Sequence, residues 1–147
     1  MSINNEEITA YLKNSKSLVL ATVNEAGEPD IRTLGGYGVS ELEIYFATAK
    51  ESSKAKQLKD KNDVAVLFQH ENQVIPDFVN ITIYGKAVLT GGEEFNTGKQ
   101  LILNRRPQLS AGIDNLNIYR VKAERIKVLD FKASNPAERV HTITKVN

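Results

Sequence analysis

The longest regular pattern in the sequence is an alternation of apolar and other residues over positions 78–89. Successive side chains of a strand point to opposite faces, so the alternation predicts one long β-strand with a single apolar face. Gly85 interrupts that apolar face, which indicates a bend or the close approach of another backbone segment. A long strand of this kind favours a fold built on a β-sheet.

Shorter strand patterns lie on both sides of it and outnumber the helical ones. The predicted strands are residues 17–23, 30–39, 42–48, 64–68, 117–121, 125–131 and 139–146. The predicted helices are one capped by Asn4 or Asn5, residues 51–62 and residues 93–105. Short turns join the first three strands, which is typical of an antiparallel meander. Without a regular strand–helix alternation, the chain is predicted to be mainly β, as a small closed or split antiparallel barrel with peripheral helices.

Composition excludes several classes of function. The chain has 147 residues, which predicts a single domain over residues 1–147. It contains no cysteine, which excludes disulfides and thiolate chemistry, and with two histidines it offers no metal site. A net charge of +1 and 7% aromatic residues argue against a nucleic-acid-binding surface. The polar start and the lack of a long apolar run predict a cytoplasmic protein without a membrane segment.

One group of residues indicates an anion site. Arg32 lies in the second predicted strand, and Thr48 ends the third, just before Ser52, Ser53 and Lys54 at the start of a helix. If these two strands pair as a hairpin, Arg32 comes close to that helix start. Two cations, hydroxyl groups and a helix N-terminus would then surround one small volume suited to a phosphate on a small molecule.

Simpler interpretations remain open for the same residues. Arg32 can form an ion pair with Glu43 or Glu51 on a strand face. The two serines can serve only as helix caps, and Lys54 can be a solvated helix lysine. Asn80 can be an edge-strand residue that bonds to water. His70 is predicted to be a structural histidine.

Residues 18–58 carry an ordered set of short segments: LATV, a turn with Gly27 and Pro29, Arg32, an aromatic third strand, Thr48, and Ser-x-Lys-Ala beginning at Ser52. VAVLF at 64–68 and VNITIYGKAVL at 79–89 continue the series. In this order the segments resemble the pyridoxamine 5'-phosphate oxidase-like family of FMN-binding split barrels. The resemblance covers about two-thirds of the chain and implies a split β-barrel that binds FMN.

Carried over position by position, the resemblance implies that Arg32, with the backbone of Thr33 and Leu34, holds the flavin ring edge and the phosphate. It implies contacts with the phosphate and ribityl chain from four more residues: Thr48, Ser52, Ser53 and Lys54. Asn80 falls where several members place a glutamine against the flavin. Members are typically homodimers with FMN between protomers, so the resemblance also implies a homodimer with shared sites.

The chain departs from the members that oxidise pyridoxine phosphates. Tyr37 stands where they carry a lysine. They also carry a tryptophan near the C-terminus, and this chain contains no tryptophan. Arg139 and His141 resemble their substrate motif, but the basic residue that follows is replaced by Ile143. The chain therefore resembles the small general-stress-type members more than pyridoxamine phosphate oxidase itself.

Two functions follow from the resemblance. The first is an FMN-dependent oxidoreductase with an unassigned substrate, reduced by NADH or NADPH, in which the flavin carries the chemistry and no catalytic side chain is nominated. The second is a non-catalytic flavin-binding carrier or stress protein. Related split barrels that bind haem or a deazaflavin are a further alternative, and haem would require His70 or His141 as axial ligand. Substrate contacts are predicted on the loops 73–77 and 108–115.

Overall fold

The computed structural model describes residues 4–70, 73–74 and 78–144 of the chain. The described helices are α1 (Asn5–Asn14), α2 (Ser53–Asp60) and α3 (Glu93–Arg105), with short 3₁₀ helices at Pro107–Ala111, Ile113–Asn115 and Pro136–Glu138. The described strands are β1 (Leu18–Val23), β2 (Pro29–Leu34), β3 (Tyr37–Ser40), β4 (Glu43–Ala49), β5 (Asp63–Gln69), β6 (Val79–Leu89), β7 (Leu116–Lys122), β8 (Arg125–Asp130) and β9 (Val140–Ile143).

The strands form one antiparallel sheet in the order β2-β1-β5-β6-β7-β4-β3, with β8 between β6 and β9. The prediction of one strand over residues 30–39 was wrong, because the chain leaves the sheet at Gly35 and Gly36 and divides it into β2 and β3. β2 pairs with β1, whereas β3 pairs with β4 at the other end of the sheet. The predicted hairpin between the strand of Arg32 and the strand of Thr48 therefore does not form, and neither does the three-strand meander.

Gly85 marks the point at which the sheet divides. β7 and β8 both run antiparallel to β6, with a register offset of one residue between Leu89↔Tyr119 and Tyr84↔Arg125. They therefore continue one another along the same edge of β6 across a bulge. Gly85 lies at the bulge, where a Cβ atom would overlap the carbonyl oxygen of Lys122. The close backbone approach predicted from this glycine is confirmed.

The larger hydrophobic core lies on the concave face of the sheet. It takes in side chains from β1, β3 to β8, α1 and α2, among them the fully buried Leu20, Phe46, Phe68 and Ile83. α3 covers the opposite face of β4 and β7, where Ile102 and Ile118 belong to a second, smaller cluster. The mainly β fold is thus a curled half-barrel with peripheral helices, as predicted.

The predicted helices and the predicted last strand agree with the structure to within a few residues. α3 covers the predicted residues 93–105, and Asn4 caps α1 with a reciprocal bond to Glu7. α2 begins at Ser53, two residues later than predicted, because Ser52 is its N-cap. The last strand ends at Ile143, and positions 145–146 of its predicted range lie outside the described residues.

Candidate functional site

The start of α2 joins the end of β4 through two hydroxyl groups. Ser52 is the N-cap of α2, and its Oγ accepts a hydrogen bond from the backbone N–H of Ala55 at 3.2 Å. The same Oγ lies 2.9 Å from Oγ1 of Thr48, which is buried at the end of β4. Ser53 is the exposed first residue of the helix. The helix therefore presents its first backbone N–H groups and the positive end of its dipole at a rigidly held point.

Arg32 lies on the concave face of the sheet and reaches α2. Its Nη1 donates to Thr22 Oγ1 at 2.6 Å. Its Nη2 donates to Asp30 Oδ2 at 2.9 Å and to Gln57 Oε1 at 3.2 Å. Gln57 belongs to α2 and also donates from Nε2 to Asp30 Oδ2 at 3.2 Å. The hydrogen bond from Gln57 and the charge of Arg32 lower the pKa of Asp30.

Lys54 completes a pair of cations with Arg32. Burial and the positive charge of Arg32 both lower the pKa of Lys54, with burial the larger cause. Two cations are therefore held close enough to repel each other, beside the N-terminus of α2. The sequence predicted that these groups come together, but through a hairpin that does not form. Instead, α2 packs against β1, and β1 pairs with β2, the strand that carries Arg32.

Asn80 and Thr33 lie on the convex face of the sheet, opposite Arg32. Residues paired in register share a face, and Arg32 is linked through three successive pairs, by way of Leu20 and Val66, to Ile83. Since side chains alternate along a strand, Asn80 points away from the face of Ile83, and Thr33 away from that of Arg32. Within one protomer, the side chain of Asn80 and the Arg32–Lys54 pair therefore face opposite sides.

The predicted residues thus fall into two groups. Arg32, Leu34, Thr48, Ser52, Ser53 and Lys54 lie on the concave face or at the start of α2, and Thr33 and Asn80 lie on the convex face. The Oδ1 atom of Asn80 is buried and has no hydrogen-bond partner among the described residues. A buried amide oxygen without a partner is costly, which marks this position as one where a further donor is expected.

The sequence analysis missed the residues that hold Arg32: Thr22, Asp30 and Gln57. Asp30 lies two positions before Arg32, so strand alternation places both on one face. That signal was available in the sequence. Thr22 and Gln57 depend on the pairing of β1 with β2 and on the packing of α2, which are set by contacts between distant parts of the chain.

The two histidines lie in different surroundings. The ring of His70 stacks on Tyr11 with centroids 3.8 Å apart, and its Nε2 lies 3.2 Å from the Tyr11 carbonyl oxygen. Nε2 of His141 is buried without a partner among the described residues. Across the described ranges, no three His, Cys, Asp or Glu side chains gather as metal ligands would.

The described surface also contains a cleft and one of the two predicted substrate loops. A cleft of about 890 Å³ lies between α1 and the β3–β4 turn, and none of the predicted site residues lines it. The predicted substrate loop 108–115 is mostly 3₁₀ helix, and residues 75–77 of the other predicted loop lie outside the described residues. In the part of the chain that is described, no helix is long and apolar enough to cross a membrane.

A curled, split antiparallel sheet with cations gathered at the first helix after β4 defines the class as a split-barrel protein. The sequence model described as pyridoxamine 5'-phosphate oxidase matches residues 5–130. The chain belongs to the pyridoxamine 5'-phosphate oxidase-like family.

Individual relatives are more distant. A pyridoxine/pyridoxamine 5'-phosphate oxidase from Burkholderia thailandensis is 38% identical over 63 residues, which are 43% of this chain and 29% of that protein. The match thus spans less than a third of the length of this relative. A haem-binding protein from Mycobacterium smegmatis has a similar structure with a TM-score of 0.80 at 14% identity, covering 98% of this chain and 59% of the other. General stress protein 26 from Bacillus anthracis gives a TM-score of 0.66 at 18% identity, covering 84% and 92%. At these identities the two structures share the fold alone.

Proposed function

We propose that this protein binds FMN as a homodimer and uses it as an oxidoreductase. The observation that carries the proposal is the Arg32–Lys54 pair at the start of α2. The phosphate of FMN carries nearly two negative charges and binds best to paired cations and helix N-termini. The residues present fit this group, because an anion between Arg32 and Lys54 would be attracted by both cations and would offset the repulsion between them; burial first and the charge of Arg32 second lower the pKa of Lys54.

The two faces of the sheet support a shared site. Arg32 and Asn80 face opposite sides of one protomer, so one FMN molecule can contact both only if they come from different protomers. The convex face of β1, β2 and β5 is apolar and none of the described helices makes its main contacts there; Val19, Ala21, Ala65 and Leu67 are half-buried and Ile31 is 67% exposed. An apolar sheet surface of this kind suits a two-fold interface with a second copy.

The chemistry of such a site belongs to the cofactor. When bound, FMN supplies hydride or electron transfer, with NADH or NADPH as the proposed reductant. Arg32, Lys54 and the first N–H groups of α2 hold the phosphate, and Thr48 with Ser52 fixes the position of that helix start. Asn80 of the second protomer is proposed to contact the flavin edge through its side-chain amide, whose Oδ1 has no hydrogen-bond partner among the described residues. No side chain of this chain is assigned as a proton donor.

Oxidation of pyridoxamine phosphate itself is not favoured. Tyr37, which stands where the resemblance expects a substrate lysine, is fully buried. Its hydroxyl lies within hydrogen-bond distance of two backbone carbonyls, those of Leu12 at 2.9 Å and Ser15 at 2.6 Å. A side chain engaged in this way supports the core and leaves the substrate of the proposed enzyme unassigned.

The visible absorption spectrum tests the proposal. Purified protein is mixed with FMN and desalted, and a retained flavin spectrum with a dissociation constant from fluorescence titration is expected. The double variant Arg32→Ala, Lys54→Ala should lose at least about 100-fold in FMN affinity, since charge-assisted bonds contribute about 1.5–3 kcal/mol each. Lys56→Ala, an exposed lysine on the same helix, is the matched control and should bind as the wild type does.

The contrary results are distinct. Unchanged FMN affinity in a folded double variant would remove the phosphate site, whereas wild-type protein that retains no FMN would contradict flavin binding altogether. The same spectra would reveal haem or a deazaflavin, because each absorbs differently from FMN. Addition of NADH or NADPH to the loaded protein then separates an enzyme, in which the flavin is bleached with turnover, from a carrier.

A further inference from the structure

Arg32 is already paired with an anion of the protein itself. Asp30 accepts a hydrogen bond from Arg32 Nη2 at 2.9 Å, and Gln57 donates to the same carboxylate oxygen at 3.2 Å. The side chain of Asp30 keeps 48% of its exposure, whereas that of Arg32 keeps 17%. The carboxylate therefore covers one end of the guanidinium group and still meets solvent.

The contacts of Arg32 leave only part of the guanidinium for a ligand. Both hydrogens of Nη2 are engaged, one by Asp30 and one by Gln57, and one hydrogen of Nη1 is engaged by Thr22. Among the described residues, no acceptor is recorded for Nε or for the second hydrogen of Nη1. A phosphate at this site would therefore meet Arg32 at Nε–H or at the second hydrogen of Nη1, with the carboxylate of Asp30 bound to the neighbouring Nη2 of the same group.

We propose that Asp30 is a specificity-determining residue of this site: an internal counter-ion that weakens the binding of doubly charged phosphates to Arg32 and Lys54. The inference rests on the proposed FMN site. Two cations and one carboxylate leave a single net positive charge at the site, whereas a phosphomonoester brings nearly two negative charges. Asp30 repels that phosphate and lowers its affinity without touching the flavin ring.

The carboxylate keeps its charge under working conditions. The hydrogen bond from Gln57 and the charge of Arg32 lower the pKa of Asp30, so it is ionised throughout the neutral range. Its carboxylate is held from two sides, by Arg32 on β2 and by Gln57 on α2. The repulsion is consequently a constant property of the site at neutral pH.

The decisive variant is Asp30→Asn, which has the same shape and keeps an oxygen to accept from Arg32 while losing the charge. Its affinity for FMN should rise about 3- to 10-fold, as expected for a partly solvated charge several ångströms from the phosphate. Its affinity for riboflavin, which has no phosphate, should stay within about twofold. Glu28→Gln is the matched control: it removes the same charge from an exposed position in the β1–β2 turn and should change FMN binding less than about twofold.

A second variant separates charge from position. Asp30→Ala removes the charge and also the hydrogen bonds, so Arg32 is held only by Thr22 and Gln57. It should bind FMN less tightly than Asp30→Asn does. Asp30→Asn should still bind FMN more tightly than Asp30→Ala when the salt concentration is raised. The difference in FMN affinity between the wild type and Asp30→Asn should shrink, because salt screens the charges.

Three results would overturn the inference. FMN affinity that is unchanged or reduced in a folded Asp30→Asn variant would show that the carboxylate does not oppose the phosphate. A parallel gain for riboflavin would show that the effect does not pass through the phosphate. Failure of the wild type to bind FMN at all would overturn the proposed function together with this inference. That outcome is recognised because none of the variants would then bind FMN either.

Discussion

Gly85 offers the sharpest test of the split in the sheet. A Cβ atom added at this position would overlap the carbonyl oxygen of Lys122 and lie 3.1 Å from Cγ1 of Val121. Separations below 3.0 Å are essentially never seen for real Cβ atoms, and the obstacle is backbone that belongs to the neighbouring strand. The substitution Gly85→Ala can therefore be accommodated only if β6 and the β7–β8 bulge move apart.

The cost can be worked out from the contacts at the bulge. Moving the strands apart weakens the hydrogen bond from Glu124 N to Tyr84 O, which is 2.8 Å long, and such a bond contributes about 1 kcal/mol. Overpacking a tight core position adds about 1–3 kcal/mol. Alanine also restricts the unfolded chain more than glycine does, which offsets about 0.4–1 kcal/mol of this destabilisation. Gly85→Ala should thus lower the free energy of unfolding by about 1–3.6 kcal/mol.

Urea unfolding followed by circular dichroism measures this change, and two other glycines serve as references. Gly91→Ala should be neutral or slightly stabilising, because nothing lies within 4 Å of its Cβ position. Gly98→Ala should fall between them, because its Cβ would meet side-chain atoms of Tyr45 and Ile118 at 2.7 and 2.8 Å, while alanine favours the helix by about 1 kcal/mol. A Gly85→Ala variant as stable as Gly91→Ala would refute the reasoning.

The remaining predictions concern the proposed site. The pKa of Lys54 is lowered, so its proton is lost below the usual range for lysine; FMN affinity should therefore fall as the pH rises through that folded-state pKa. Titrations between about pH 7 and 10 should show a smaller fall in Lys54→Arg, because arginine stays charged there, and equal falls in both proteins would rule out Lys54 as the titrating group. On the convex face, Ala65→Glu should bury an unpaired charge in the proposed interface, give a monomer in sedimentation experiments and lose FMN. The same glutamate at the exposed Gln100 on α3 is the control, and an FMN-binding Ala65→Glu monomer would contradict the shared site.

The sequence carried enough local information to predict most elements but not their pairing. Alternation over residues 78–89 and the break at Gly85 came directly from the strand period, and α3 was delimited by its acidic first turn and Pro107. The division of residues 30–39 into β2 and β3 could not be predicted, because both halves read as strand. Which strands they pair with is decided by contacts with β1 and β4, far apart in the sheet.

The site shows the same division between local and distant information. The short segments around Arg32 and Ser52 predicted that cations and a helix start come together, although the assumed hairpin was wrong. The role of Gln57 needed the packing of α2 against β1, which no local pattern encodes. The opposite orientation of Arg32 and Asn80 needed the register of four strands, and that register leads to the proposal of a site shared by two protomers.

Native mass spectrometry of the protein after incubation with FMN tests the central claim most directly, because one spectrum reports both chain number and cofactor number. The account predicts two chains that carry two FMN molecules, since a two-fold dimer contains two equivalent sites. A single chain carrying FMN, or a dimer that holds none, would contradict it.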